Sequence, residues 1–139
     1  MRWILFGLLF CIASCGSNAE YLIRDARIRE PVPGQTKSVG YFTLANQTDE
    51  NLVLVGVSIA GVGAVEMHET TERDGVMRMR KLKEVSIPAA SEVAFVPGGK
   101  HLMLFRISEL NAPVDVEFTF ADGRVLTQPF ELVPFTSTN

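Results

Sequence analysis

Residues 65–82 have the sequence VEMHETTERDGVMRMRKL and predict a β-hairpin. Asp74-Gly75 is a strong signal for a two-residue hairpin turn, and residues suited to strands lie on both sides of it. With this turn, Thr70 faces Met79 across the hairpin. His68 and Met79 then lie on the same face as diagonal neighbours, roughly 7–8 Å apart. A three-residue turn would instead send Met79 to the opposite face.

The rest of the chain continues this β pattern. Short runs rich in β-branched and aromatic residues alternate with turn residues, and helical periodicity is weak throughout. We therefore predict an all-β fold, a sandwich or barrel, in which only residues 108–111 form a short helical turn. The predicted strands span residues 21–29, 39–46, 52–60, 65–71, 76–82, 92–96, 101–107, 114–120 and 124–132.

The composition fits one globular domain and argues against a nucleic-acid partner. The chain has 139 residues, of which 47% are hydrophobic and 21% are charged. A chain of this length can bury a substantial core as one domain. Its formal net charge is −3 at pH 7, and it has no basic patch suited to neutralising phosphates.

Residues 1–19 have the features of an export signal. The apolar run at residues 3–12 is too short to span a bilayer. Residues 12–15 read Ile-Ala-Ser-Cys and resemble a lipobox, which predicts cleavage before Cys15 and lipidation of that cysteine. The alternatives are ordinary signal-peptide cleavage after residues 17–19 and a retained N-terminal anchor. All three predict export across the inner membrane.

We expect the exported part, residues 20–139, to form one domain that contains no cysteine. The two cysteines of the chain, Cys11 and Cys15, both precede it. This domain therefore cannot hold a disulfide or an iron–sulfur cluster. It also cannot hold a blue-copper centre, which needs a cysteine thiolate. We expect it to be periplasmic, and to be anchored to a membrane if Cys15 is lipidated.

Both histidines of the chain lie in a pattern with two methionines, H-x10-M-x21-H-x-M, formed by His68, Met79, His101 and Met103. Imidazole nitrogen and thioether sulfur make a soft and neutral ligand set, which prefers monovalent copper to zinc, magnesium or calcium. Residues two apart in a strand share a face, so His101 and Met103 project together. The sequence therefore predicts a Cu(I) site that is assembled from two β-segments.

Met67 and Met77 lie beside this pattern, and we expect them to be packing residues or auxiliary copper ligands. Every methionine except the initiator lies between residues 67 and 103. A methionine in a strand nevertheless usually fills the core. Zinc is a weaker alternative, because its protein ligands are thiolate, imidazole and carboxylate. The basic stretch at residues 78–83 is either a solvent-exposed face or a docking edge for an acidic partner.

Four short segments carry a likeness to a known family. They are MHE at residues 67–69, GVMRMR at 75–80, IPA at 87–89 and PGGKHLML at 97–104. With these segments the chain resembles the periplasmic copper chaperones called PCuAC. The likeness extends from about Ala26 to Pro134, and the spacings between His68 and Leu104 match the family motif without a gap.

The resemblance implies a cupredoxin-like Greek-key β-sandwich that binds one Cu(I) ion through His68, Met79, His101 and Met103. It implies a carrier, and not an enzyme, that delivers copper toward the CuA centre in cytochrome c oxidase subunit II, alone or alongside Sco-type proteins. We expect the carrier to be a monomer. Two other functions stay open: a copper redox or electron-transfer protein, and a structural lipoprotein sandwich whose methionines only fill the core.

Overall fold

The structure, a computed structural model, describes residues 20–135. The predicted signal segment and the predicted lipidation site, Cys15, lie outside the described residues. The described part is all-β, and none of it forms a helix long and apolar enough to cross a membrane. Its strands are β1 (Tyr21–Arg29), β2 (Lys37–Asn46), β3 (Leu52–Ile59), β4 (Val62–Arg73), β5 (Val76–Leu82), β6 (Val85–Ile87), β7 (Ser91–Phe95), β8 (Lys100–Ile107), β9 (Val114–Phe120) and β10 (Val125–Val133).

The strands follow one hydrogen-bonded order, β5-β4-β8-β7-β2-β1-β10-β9-β3-β6. Strand β10 joins the two halves of this order. Its first part pairs antiparallel with β9, from Val125 to Phe130, and its last part pairs parallel with β1, from Glu131 to Val133. The chain thus forms two layers that share one strand, and the prediction of an all-β sandwich is confirmed.

Aromatic side chains from both layers fill the space between them. Phe42 of β2 stacks on Phe95 of β7 with ring centroids 4.3 Å apart. The same ring meets Phe118 of β9 edge-on at 5.1 Å and lies 5.7 Å from Phe130 of β10. All four rings are buried. Full burial of one such side chain contributes roughly 1.5–3 kcal/mol, so this cluster holds the two layers together.

Strand β8 divides its side chains between the core and the outer face of the sheet. Leu102 and Leu104 are fully buried in the core. Because strand residues alternate faces, His101 and Met103 project from the opposite side. This confirms the alternation that we predicted for β8. One strand therefore supplies both the packing of the sandwich and two candidate ligands on its outer surface.

One local prediction is wrong, and one short strand was missed. Residues 108–111 form no helical turn, because the backbone amide and the hydroxyl of Ser108 both donate to the carbonyl of Gly61, at 2.8 and 2.9 Å, and tie the segment down. Strand β6 was not predicted. It has only three residues, and it pairs with β3 through Leu52 and Ile87. Both features depend on distant parts of the chain.

Candidate metal centre

The hairpin of β4 and β5 has the predicted two-residue turn. Asp74 and Gly75 have φ values of 54° and 73°, as a turn of this type requires. Thr70 pairs with Met79 in the ladder. His68 and Met79 therefore share a face, and the predicted register is confirmed.

Strand β8 lies on the other side of β4 and brings the second histidine close to the first. His68 pairs directly with His101, and the two ring centroids are 5.9 Å apart. Met103 pairs with Glu66 in the same ladder. The four candidate ligands thus lie on the outer face of three adjacent strands, β5, β4 and β8. They are separated by up to 35 positions in sequence and come together only because β8 pairs with β4.

His101 and Met79 are in direct contact. The Nε2 atom of His101 lies 3.2 Å from the sulfur of Met79. The other ring nitrogen, Nδ1, lies 3.0 Å from the carbonyl oxygen of Gly99, which can only accept a hydrogen bond. Nδ1 therefore carries the proton, and the lone pair of Nε2 faces the thioether. The Gly99 carbonyl also accepts from the backbone amide of Thr70 at 3.0 Å, which fixes the acceptor in place.

His68 uses its ring nitrogens in the opposite way. Its Nε2 atom lies 2.9 Å from a carboxylate oxygen of Glu66. Its Nδ1 atom is buried and has no hydrogen-bond partner among the described residues. The second oxygen of Glu66 accepts from the ammonium of Lys81 at 2.7 Å. The hydrogen bond from Lys81, and then that from His68, hold the pKa of Glu66 below its usual value of 4.5.

A second carboxylate lies on the opposite face of β4. Glu69 accepts from Lys100 at 2.9 Å and from Arg80 at 2.7 Å. The hydrogen bond from Lys100, followed by that from Arg80, lowers the pKa of Glu69 from its usual 4.5. This network links β4 to both neighbouring strands next to the candidate ligands, although Glu69 contacts neither histidine ring.

The two remaining methionines occupy different environments. Met67 is 5% exposed and belongs to the hydrophobic core, on the face of β4 that points away from His68. Met67 therefore packs in the core, away from the two histidines. Met77 is 58% exposed and pairs with Glu72, on the same face as Met79 but nearer the turn.

The geometry suits a metal ion bound by nitrogen and sulfur. Protein nitrogen and sulfur ligands lie roughly 2.0–2.3 Å from a bound zinc ion, so two ligand atoms separated by 3.2 Å can contact one ion of similar size. Within residues 20–135, no group of three or more His, Cys, Asp or Glu side chains is arranged to hold a metal. The possible donor atoms of this cluster are therefore imidazole nitrogens and methionine sulfurs.

The sequence pattern missed the partners that orient the histidines. Glu66 could have been found, because it lies two residues before His68 on a strand and must share its face. The Gly99 carbonyl could not, since its role depends on how the turn before β8 lies against β4.

The sandwich with a His/Met cluster on its outer face has the fold of PCuAC domains. Over 84% of this chain and 94% of the other, it superposes on the copper-bound PCuAC domain from PmoF2 with a TM-score of 0.68 and 22% identity. It also matches the solution structure of CuI-DR1885 from Deinococcus radiodurans, with a TM-score of 0.58 and 22% identity over 91% of this chain and 85% of that one.

The chain belongs to the LpqE-like family, whose sequence model, "Putative lipoprotein LpqE-like", matches residues 22–132. It is 24% identical to "Putative lipoprotein Lxx21020" of Leifsonia xyli subsp. xyli, over 98% of this chain and 88% of that protein. It is 33% identical to "Uncharacterized protein RP573" of Rickettsia prowazekii, over 61% of this chain and 48% of that protein.

Proposed function

We propose that this chain is a copper carrier that binds one Cu(I) ion through His68, Met79, His101 and Met103. The observation that carries the proposal is the contact between the Nε2 atom of His101 and the sulfur of Met79, at 3.2 Å. A nitrogen lone pair and a thioether are both electron donors and gain little from facing each other alone. A soft cation between them would make both donors favourable ligands.

The choice of copper follows from the ligand chemistry and is supported by the comparisons. Two imidazoles and two thioethers are soft and uncharged, which suits Cu(I) better than zinc or magnesium. Solved structures with the same fold include a copper-bound PCuAC domain and CuI-DR1885. A thioether site also avoids the loss of thiols to disulfides in an oxidising compartment.

The graded exposure of the ligands supports a carrier function, in which the ion leaves by ligand exchange. His101 is 7% exposed, whereas Met79 is 55% exposed and lies on the edge strand β5. An acceptor can approach Met79 first and add its own ligand before the deeper His101 releases the ion. The proposed function is transfer without turnover, so we propose that the protein is not an enzyme.

The cellular setting is part of the same proposal. We propose that residues 1–19 export a domain formed by residues 20–139 to the periplasm, and that Cys15 becomes a lipid anchor. The names of the family and of the Leifsonia relative, both of which contain the word lipoprotein, support this route. The proposed acceptor is cytochrome c oxidase subunit II or a Sco-type protein, reached by the carrier as a monomer.

A Cu(I) competition titration against a colorimetric chelator tests the proposal. The protein, expressed from its full chain, is compared with a variant in which His68, Met79, His101 and Met103 are all alanine. We expect tight one-to-one binding that the variant loses while keeping its β-sheet circular dichroism spectrum. Equal binding by both proteins would contradict the proposed site.

Two further measurements separate the two other functions. If the methionines only fill the core, the protein binds no Cu(I), and Met103→Ala lowers the free energy of unfolding by about 2–5 kcal/mol. If the protein is an electron-transfer protein, the bound copper shows a rapid and reversible one-electron couple in voltammetry. A carrier is expected to show neither result.

A further inference from the structure

Glu66 joins two of the strands that carry the candidate ligands. It lies on β4 two residues before His68 and on the same outer face. One oxygen of its carboxylate lies 2.9 Å from His68 Nε2, and the other lies 2.7 Å from the ammonium of Lys81 on β5. The carboxylate is therefore in contact with one candidate ligand and is braced from the strand that carries Met79.

This contact determines which nitrogen of His68 is free. An ionised carboxylate can only accept hydrogen bonds, so Nε2 must carry the proton that lies between His68 and Glu66. The lone pair then resides on Nδ1. That atom is buried, and it has no hydrogen-bond partner within residues 20–135. A buried and unpaired ring nitrogen is rare and calls for a ligand, because an unsatisfied polar atom costs free energy.

The two histidines consequently present different nitrogens and have different partners. His101 presents Nε2, and its Nδ1 donates to the neutral carbonyl of Gly99. His68 presents Nδ1, and its Nε2 donates to the charged carboxylate of Glu66. A carboxylate partner fixes the tautomer and the ring orientation of an imidazole ligand. The two imidazoles of the cluster are therefore not equivalent donors.

We propose that Glu66 is a positioning residue that holds the proton of His68 on Nε2 and presents His68 Nδ1 to the bound ion. The effect on metal binding rests on the copper site of the proposed function. The control of the ring and its proton by Glu66 does not, because it concerns the metal-free protein. The two parts can therefore be tested separately.

Glu69 provides a matched control for the role of Glu66. It lies on the same strand and also accepts from two cations on the neighbouring strands, Arg80 and Lys100. It contacts no histidine, and it lies on the opposite face of β4. Glu69→Ala removes two ion pairs to the neighbouring strands without touching the ring of His68. A role for Glu66 in bracing the strands alone predicts equal effects of Glu66→Ala and Glu69→Ala.

The first experiment uses nitrogen-15 NMR of the metal-free protein, expressed from its full chain. We expect the proton of His68 to reside on Nε2 and to exchange slowly with water in the wild type and in Glu69→Ala. Glu66→Ala should make that proton exchange rapidly. Glu66→Gln, whose amide oxygen can accept the same hydrogen bond, should retain slow exchange. A proton on Nδ1 in the wild type, or unchanged slow exchange in Glu66→Ala, would overturn the proposal.

The second experiment measures Cu(I) affinity and the nitrogen that binds. We expect copper to shift the Nδ1 resonance of His68, and Glu66→Ala to weaken binding about 10–100-fold. Glu69→Ala should stay within about fivefold of the wild type, the upper range for a surface ion pair. Equal losses in both variants would mean that Glu66 only braces the strands. If the wild type binds no Cu(I), the proposed function fails, while the NMR experiment still decides the role of Glu66.

Discussion

Met79 and Met77 are two methionines on one face of the same strand, and they let the role of a single thioether be isolated. They are 55% and 58% exposed, so neither contributes much to the core. Only Met79 reaches the ring of His101, with its sulfur 3.2 Å from Nε2. Met77 pairs with Glu72, one step closer to the turn.

Replacing either methionine by alanine should therefore leave the stability nearly unchanged, and only the loss of Met79 should weaken copper binding strongly. We expect Met79→Ala to weaken Cu(I) binding by at least about 100-fold, because loss of an outer-shell partner already costs about 10–100-fold. Met77→Ala should cost far less, as expected of an auxiliary ligand at most. Chelator competition measures both affinities, and urea unfolding should give nearly equal stabilities. An equal loss of affinity in the two variants would contradict the assignment of Met79.

At the residue scale, the sequence predicted which side chains share a face but not how their atoms are oriented. The alternation of a strand was enough to pair His101 with Met103 and to send Met67 the other way. It could not show that His68 and His101 make their hydrogen bonds through different ring nitrogens. That property depends on Glu66 and Gly99, and thus on side-chain rotamers and on a turn brought in by tertiary packing.

The β4–β5 hairpin is the element that carries Met79, and its turn depends on positive φ angles. Gly75 has a φ of +73°, with nothing within 4 Å of where a Cβ would lie. Gly123, between β9 and β10, has a φ of +88° and equally open surroundings. The two glycines therefore differ in which hairpin they serve and not in local crowding.

Gly75→Ala and Gly123→Ala should each lower the free energy of unfolding by about 1–2 kcal/mol, the cost of a left-handed conformation for an L-residue. Only Gly75→Ala should weaken Cu(I) binding, by up to about tenfold, because copper must then hold a strained hairpin in its binding conformation. Thermal unfolding and chelator competition measure the two effects. An equal loss of affinity in Gly123→Ala would show that the hairpin has no special part in binding.

At the scale of single strands, the bounds were predicted best where turn residues mark the end of a strand. Strands β1, β5 and β9 have the predicted bounds, because each is a continuous run with clear turn residues near at least one end. Strand β4 extends beyond the predicted residues 65–71 at both ends, since its ladders with β5 and β8 carry it further. The three-residue β6 exists only through its pairing with β3, and no local pattern could reveal it.

The stability of the whole molecule should depend on the bound metal, and it should respond differently to copper and to zinc. An ion that binds only the folded protein raises its stability by about 2.7 kcal/mol when the free ion is 100-fold above its dissociation constant. We expect Cu(I) to raise the unfolding temperature under anaerobic conditions. Zn(II) at the same concentration should have a much smaller effect, because the cluster offers only two imidazoles and no thiolate.

Thermal unfolding followed by circular dichroism measures this difference. The variant with alanine at all four candidate ligands serves as the control and should respond to neither metal. Equal stabilisation of the wild type by Zn(II) and Cu(I) would indicate a site of different composition.

At this scale the sandwich was predictable from the spacing of strands and turns. The pairing of β10 with strands of both layers was not predictable, because its parallel pairing with β1 joins residues more than a hundred positions apart.

The carboxylates beside the cluster are already matched by cations: Glu66 by Lys81, and Glu69 by Arg80 and Lys100. Under the proposed function, the four ligands are neutral as well, so no ligand cancels the charge of an incoming monovalent ion. The copper-loaded carrier would then have one more positive charge than the copper-free carrier, next to the exposed edge strand β5. An acidic acceptor would bind the copper-loaded carrier more tightly than the copper-free one. This difference favours association before copper transfer and dissociation after it.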